Sequence, residues 1–436
     1  MLLFYLFLKI FRIYDKITYN KFLRSKILER IKKVILSTFE YIKPFVKWLF
    51  FATLMGIVGG VIGALFHKCL DVVTETRENN FWLILFLPVA GLLVTVLYSP
   101  FKAKGKLNTN RVLDAVETDE RVPFTLSPLI FVSTLISHLF GASVGREGAA
   151  LQLGGSLGYN IGKIFKLSKS DRRIIVMVGM SSFFSAMFGA PLTAAIFALE
   201  VIRVGYVRHC GFFPCIVSAL VAYEISALLG THGVRYAVNF PGTTPELIVK
   251  VILLSVLCAV VSILFCVAIK NASLYMHRFF RNQYIRTVAG ALIVVGLTLI
   301  FRTTDYNGAG MHMIENAMNG KTVPWAFALK IIFTAITIAA GFKGGEIVPT
   351  LFIGATFGCA VAPLLGMDPA FAASVGFVAL FCGVVNCPFA SVALALEVFG
   401  GEGILIYALA CSVSFMMSGN FSIYKSQKIE GSKIAY

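Results

Sequence analysis

The chain is built from long apolar stretches separated by short polar ones. A helix that crosses a bilayer needs about 20 predominantly apolar residues, and many of the stretches reach that length. The apolar stretches are 46–66, 81–99, 123–142, 171–201, 211–230, 245–270, 287–301, 324–341, 347–366 and 370–418. Some of these stretches are shorter than about 20 residues or are interrupted by Gly and Pro. A membrane tolerates such broken segments where they are buried in protein or line a cavity. The pattern predicts an all-α polytopic membrane protein that contains broken helices.

Composition agrees with this class, because 58% of the residues are hydrophobic and only 14% are charged. A net charge of +17 would suggest nucleic acid as the partner of a soluble protein. In a membrane protein the basic residues are better explained by the cytoplasmic side and its anionic lipid, so we expect the lipid bilayer and no nucleic acid as a partner. The nine cysteines are scattered without metal-ligand spacing, and we expect no metal, disulfide or cofactor.

The polar segments indicate the topology. Eleven Lys and Arg residues lie between positions 9 and 47, so residues 1–45 are predicted to be a basic amphipathic segment on the cytoplasmic membrane face. The first span then emerges outside near Asp71, and the second returns inside near Lys102. The span 245–270 ends in a basic loop around Arg278, which also lies inside. The span 46–66, which opens the N-terminal part of the chain, therefore crosses the membrane in the opposite direction to the span 245–270, which opens the C-terminal part.

Two ordered matches reveal an internal repeat. Gly145, Gly154 and Gly158 lie 200 residues before Gly345, Gly354 and Gly358. A second match, with nearly the same offset, relates residues 189–201, which end in Glu200-Val201, to residues 386–398, which end in Glu397-Val398. With the topology, the repeat predicts two inverted halves at 46–234 and 245–420, followed by a short cytoplasmic tail at 421–436.

Inverted halves place substrate at the bilayer midplane, where broken helices meet with their N-termini pointing inward. A helix N-terminus offers unpaired N–H groups and partial positive charge, and it attracts anions. Glycines at 145, 148, 344 and 345 would let an ion approach those N–H groups. The substrate is therefore expected to be a small anion.

These residues carry a resemblance to a known family. Gly145-Arg146-Glu147-Gly148 resembles the GREGP motif of the CLC family of chloride channels and proton-coupled chloride antiporters, and residues 345–349 are similar to its GxFxP motif. The likeness runs from about residue 50 to 425 in consistent order. It implies transport of a halide, with chloride first and fluoride second, by a homodimer with one pore per subunit and possible proton coupling. An integral protein of the plasma (inner) membrane with both termini cytoplasmic is expected, and not an enzyme.

The resemblance also implies roles for individual residues. Glu147 falls on the gating glutamate, and a carboxylate at a helix N-terminus would compete with a halide until a proton neutralises it. Tyr424 falls on a tyrosine whose hydroxyl helps to bind the anion at the inner end. The remaining expected anion ligands are the backbone N–H groups of Gly148, Ala149, Ile347 and Val348.

Two departures from the family pattern bear on this expectation. Leu107 stands where the family has an inner serine donor, so Leu107, Thr109 and Asn110 mark the inner site and Thr109 or Asn110 would supply the donor. Val201 stands where antiporters carry an inner proton glutamate, and it cannot titrate. The missing serine and the run Gly341-Phe342-Lys343-Gly344-Gly345-Glu346 resemble the fluoride-exporting branch.

Three further carboxylates need an explanation. Glu346 beside an anion path should repel the substrate, and its repeat partner is Arg146. Pseudo-twofold symmetry predicts that the two side chains form a salt bridge. Glu200 and Glu397 are expected to be structural, capping or pairing within the repeat.

A serine hydrolase is the alternative from another class. Residues 141–145 fit the G-x-S-x-G pattern with Ser143 as nucleophile, and His138 or His312 could act as base. No strand–turn–helix context supports the pattern, and this hypothesis leaves the duplication unexplained.

Overall fold

The computed structural model describes residues 21–104, 107–231, 233–430 and 433. Within the segment predicted at 1–45, residues 1–20 lie outside the described residues, and so do parts of the tail predicted at 421–436, namely 431, 432 and 434–436. The chain divides into two units, residues 1–51 and 52–436.

The described residues are mostly helical. The first part of the chain forms α1 (Lys21–Asn79), α2 (Leu87–Tyr98), α3 (Thr109–Thr118), α4 (Leu126–Leu139), α5 (Glu147–Ile164), α6 (Lys169–Phe188), α7 (Pro191–Glu200) and α8 (Phe212–Leu228). The second part forms α9 (Pro245–Phe279), α10 (Gln283–Phe301), α11 (Met311–Met318), α12 (Ala326–Ala340), α13 (Ile347–Leu365), α14 (Pro369–Val385), α15 (Pro388–Phe399) and α16 (Ile404–Met417). Short 3₁₀ helices cover Phe81–Phe86, Ser99–Lys104 and His209–Gly211. Strand β1 (Arg203–Val204) pairs in parallel with β2 (Lys428–Ile429) near the end of the chain.

Two of the long apolar stretches are broken at matching positions. The stretch 171–201 is two helices, because α6 stops at Gly189 in the left-handed conformation (φ 70°) and α7 starts at a proline. Likewise α14 stops at Asn386 (φ 57°) before α15 starts at Pro388. A left-handed residue ends a helix, and proline suits the first turn of the next. The repeat seen in sequence is therefore a repeat of structure.

The glycines shared by the two halves bring helix pairs into backbone contact. A Cβ on Gly154 would lie 2.1 Å from the carbonyl oxygen of Gly179, and one on Gly354 would lie 2.3 Å from that of Gly376. Small residues at such contacts are a common way to pack membrane helices closely. Helix α5 is thereby fixed against α6, and α13 against α14, by the same device.

Six helical segments of the described chain are long and apolar enough to cross a membrane, judged by length and composition. They are Glu40–Asn79, Phe81–Phe101, His209–Leu228, Pro245–Phe279, Gln283–Phe301 and Ile347–Leu365. Six further apolar helices are shorter, at 10–17 residues. This mixture of full-length and short helices is the one that the sequence predicted for an all-α polytopic membrane protein.

Candidate anion path

Helices α5 and α13 begin side by side. Gly145 and Gly345 form an antiparallel bridge, in which each N–H donates to the other's carbonyl oxygen at 2.6 Å. A Cβ on Gly345 would lie only 2.4 Å from the Gly148 nitrogen, so glycine is required for this approach. The two glycine-rich turns therefore meet, as the repeat predicted.

Both helices begin at this meeting point with N–H groups that precede their first helical hydrogen bond. The first helical bond of α5 runs from Ala150 N to Arg146 O, so the N–H groups of residues 147–149 precede it. In α13 the first runs from Thr350 N to Glu346 O, which leaves the N–H groups of Ile347 and Val348. Such groups are the usual anion ligands of a helix N-terminus. The predicted roles of Gly148, Ala149, Ile347 and Val348 thus have suitable geometry and remain predictions.

Glu147 lies at the N-terminus of its own helix. The side chain is 1% exposed, and its Oε2 accepts a hydrogen bond from the Arg146 nitrogen at 3.2 Å. Its Oε1 lies 3.4 Å from Arg146 Nε. A carboxylate in this position is stabilised by the N–H groups that would otherwise face an anion.

The predicted salt bridge between Arg146 and Glu346 is wrong. Arg146 pairs with Asp71 at 3.4 Å and with Glu147, and no ion pair within the described chain joins it to Glu346. The reason lies in the register of the bridge. Gly145 opposes Gly345, so in an antiparallel pair the residues that follow them diverge. Equivalent positions touch only where they lie on the symmetry axis.

Glu346 is left as a half-buried residue beside the path. Its Oε2 is buried and has no hydrogen-bond partner among the described residues. The same oxygen lies 3.5 Å from the position that a Cβ on Gly148 would take. Glu346 therefore faces the turn that follows the predicted gate.

The predicted inner end of the path is formed by α3 and the segment around Tyr424. Tyr424 is 3% exposed, and its hydroxyl has no hydrogen-bond partner in the part of the chain that the structure describes. Asn110 Oδ1 accepts a hydrogen bond from the Ser426 nitrogen at 2.9 Å, which ties α3 to this segment. Asn110 is thus used in packing, whereas Thr109 and Leu107 are both buried at the start of α3. Leu107 contributes no side-chain donor.

Gln152 is a polar residue of this site that the sequence reasoning missed. Its Nε2 donates to Thr109 Oγ1 at 3.1 Å and to Gly148 O at 3.3 Å. The signal was present, because Gln152 is an amide between two leucines, one helical turn after Gly148, and so lies on the same face of α5.

Glu200 and Glu397 cap helices reciprocally, which confirms their predicted structural role. The carboxylate of Glu397, in α15, accepts from the nitrogens of Leu192 and Thr193 at 2.8 Å, at the start of α7. Glu200, at the end of α7, accepts from the nitrogens of Phe389 and Ala390 at 3.2 and 2.9 Å, at the start of α15. Each half thus supplies the anion for a helix N-terminus of the other.

The predicted hydrolase residues are not assembled. Ser143 Oγ lies 3.0 Å from the Thr334 hydroxyl, His138 Nδ1 contacts the Thr134 carbonyl at 3.0 Å, and His312 pairs with Asp305. A nucleophile needs a base within hydrogen-bond reach, and within the described residues neither histidine bonds to Ser143.

Glu117 anchors the C-terminal end of α3, the end opposite Thr109. Its carboxylate lies 2.5 Å from Arg203, 3.7 Å from Arg208 and 3.6 Å from Lys428, so it joins α3 to the β1–β2 pair. Burial raises the pKa of Glu117, but the hydrogen bond from Arg203 and the three cations outweigh burial and hold that pKa below its ordinary value.

Comparison with known proteins gives a consistent result. A family model described as voltage gated chloride channel matches residues 90–419. A chloride/fluoride channel protein of Pseudomonas syringae is 35% identical, over 89% of this chain and 87% of its own. An H(+)/Cl(-) exchange transporter of Vibrio vulnificus is 24% identical, over 86% of this chain and 88% of its own.

Solved structures agree with the sequence matches. The crystal structure of a CLC-type fluoride/proton antiporter superposes with a TM-score of 0.85 at 29% identity, covering 88% of this chain and 98% of that one. A slow cyanobacterial Cl-/H+ antiporter gives a TM-score of 0.74 at 19% identity, covering 85% and 94%, and supports the fold alone. The predicted all-α polytopic membrane fold is confirmed by these superpositions.

Proposed function

The chain belongs to the voltage gated chloride channel family, and from that premise we propose that it carries a halide ion across the membrane. The observation that carries this proposal is the bridge between Gly145 and Gly345, which brings two helix N-termini to one point. Partial charges of this kind hold an anion without a fixed cation, and an ion bound in this way can leave again.

In this proposal Glu147 is the gate. Its carboxylate occupies the N-terminus of α5, where it is stabilised as an anion would be. A halide and an ionised Glu147 compete for the same N–H groups, and a proton on Glu147 removes the competitor. Gate movement and proton uptake would then be one event.

Chloride is the first candidate substrate, as the motif resemblance implies. Fluoride is the second candidate, and it is kept because two comparisons and one residue support it. A relative at 35% identity is named a chloride/fluoride channel protein, and the structure that superposes with a TM-score of 0.85 is a fluoride/proton antiporter. Leu107, which replaces the inner serine of the family pattern, fits the same alternative.

Proton coupling would need a titratable group beyond the gate, since Val201 is apolar and buried. Glu200 caps α15 and therefore does not take the place of the missing inner proton glutamate. Glu346 is the better candidate, because one of its oxygens is buried, has no hydrogen-bond partner among the described residues and lies close to the turn that contains Gly148. We infer that Glu346 passes protons to or from Glu147.

We also propose the assembly and location that the family resemblance implies. The protein would be a homodimer with one anion path per subunit, in the plasma membrane, with both termini cytoplasmic. The basic residues between positions 9 and 47 support the placement of the N-terminus.

The test is halide efflux from proteoliposomes that contain the full chain, loaded with either chloride or fluoride, with external pH recorded at the same time. Wild type should release at least one halide with coupled proton movement. Glu147→Gln should abolish proton movement, and Glu346→Gln should reduce it while halide release persists. Glu402→Gln, at an exposed position, is the matched control. Failure of wild type to release either halide would refute the function, and unchanged proton movement in Glu147→Gln would refute the gate.

A further inference from the structure

The orientation of the Gln152 amide is fixed by its surroundings. The Gly148 carbonyl, 3.3 Å away, can only accept, so the NH₂ group of Gln152 must face it. The same nitrogen lies 3.1 Å from Thr109 Oγ1, and Thr109 is therefore the acceptor in that contact. Gln152 is 3% exposed, so bulk water does not compete for these bonds.

This contact determines which way the Thr109 hydroxyl is free to point. A hydroxyl has one proton to donate, and a donor directed at its oxygen turns that proton away. Within the described residues no hydrogen bond donated by Thr109 Oγ1 is formed. The hydroxyl proton is thus available as a donor at the first turn of α3.

Other donors lie at the same turn. The Arg111 nitrogen donates to Asn108 O, so the N–H groups of Thr109 and Asn110 precede the first main-chain bond of α3. Asn108 makes no side-chain cap, and its buried Oδ1 has no partner among the described residues. Among the described residues, helix α3 therefore begins with N–H groups that precede its first main-chain bond, beside a hydroxyl whose proton is turned away from Gln152.

We propose that Gln152 is a positioning residue that orients the Thr109 hydroxyl as a halide donor at the inner end of the path. The proposal rests on the proposed halide transport and deepens it. Gln152 acts through Thr109 and does not touch the ion itself. Because its nitrogen also binds the Gly148 carbonyl, one amide links the turn after Glu147 to the inner donor.

The experiment measures initial chloride and fluoride efflux from proteoliposomes over a range of halide concentrations. Loss of one neutral hydrogen bond changes affinity by about three- to tenfold. Thr109→Val and Gln152→Met should each raise the half-saturating halide concentration by about that factor, with little change in maximal rate. Thr109→Ser keeps the hydroxyl and should behave as wild type. A purely structural role for Gln152 would lower the maximal rate and leave half-saturation unchanged.

Asn160 provides a matched control on the same helix. Its Nδ2 donates to the carbonyl one turn earlier, Ser156 O, at 2.7 Å and to Val122 O at 3.3 Å, away from α3. Asn160→Leu removes the same kind of bond pair and should leave half-saturation unchanged. If Gln152→Met does not fold, Gln152→Glu replaces it, since a carboxylate facing Thr109 accepts the hydroxyl proton and also raises half-saturation.

A double-mutant cycle decides whether Gln152 acts through Thr109. In the Thr109→Val background, Gln152→Met should add little to the half-saturating concentration. An equal increase in that background would overturn the proposal, as would an unchanged half-saturation in Gln152→Met or in Thr109→Val. These outcomes leave the proposed function standing if wild type releases halide, whereas an inactive wild type refutes both.

Discussion

Removal of the Glu147 carboxylate should strengthen halide binding. In the structure this side chain accepts a main-chain hydrogen bond at 3.2 Å and pairs with Arg146, at the N-terminus that the halide needs. A hydrogen bond to a charged group is worth about 1.5–3 kcal/mol, and about 1.4 kcal/mol corresponds to a tenfold change in affinity. The halide has to displace the carboxylate, so its apparent affinity is reduced by the fraction of molecules in which the site is open. Glu147→Ala should therefore tighten binding by about ten- to hundredfold.

Isothermal titration of the purified protein with sodium chloride and sodium fluoride measures this change directly. Asp71→Asn is the control, because it removes another carboxylate that pairs with Arg146, also at 3.4 Å, but one that does not lie at the helix N-terminus. Its halide affinity should stay within a factor of about three of wild type, as expected for a weak exposed pair. The reasoning is refuted if Glu147→Ala binds halide no more tightly than wild type, or if Asp71→Asn produces the same gain.

Two further predictions concern how the site is held. Gly345→Ala places a Cβ 2.4 Å from the Gly148 nitrogen and should abolish halide efflux. In the control Gly296→Ala, the added Cβ meets no atom of the described residues within 4 Å, and efflux should be unchanged. Normal efflux from Gly345→Ala would contradict the close approach. Because the pKa of Glu117 is lowered in the folded protein, its stabilisation is full above the ordinary pKa of 4.5 and is lost as pH falls through the lowered value. Glu117→Gln should thus lower the thermal midpoint of the detergent-solubilised protein at pH 7, and its deficit against wild type should shrink on acidification; a deficit that does not change with pH would argue against the Arg203 pairing.

Sequence was sufficient for the features that depend on periodic pattern and on repetition. The matched glycines at 145 and 345 predicted two helix N-termini that meet, and the structure joins them residue to residue. The matched stretches that begin at 189 and 386 predicted equivalent elements, and both begin with a left-handed residue at a helix end. Each signal is a short motif, and the second copy of that motif about 200 residues later identifies it as a repeat.

Features that depend on exact tertiary register were not predictable. The expected pairing of Arg146 with Glu346 treated symmetry-related positions as neighbours, but only the glycines on the axis touch. The contact between Gln152 and Thr109 arises because α3 packs against α5, which no local pattern records. Sequence reasoning placed Thr109 and Asn110 on equal terms as inner donors, and only the Ser426 contact separates them.

The exchange of carboxylates between Glu200 and Glu397 has a consequence for biosynthesis. Leu192 and Thr193 leave the ribosome about two hundred residues before Glu397, the group that accepts their N–H bonds. Until then the start of α7 holds unsatisfied donors in an apolar setting, at a cost of about 1–3 kcal/mol for each buried group. The N-terminal half by itself therefore lacks the acceptors for the first N–H groups of α7. A gene split between the halves should yield a functional transporter only when both fragments are made together.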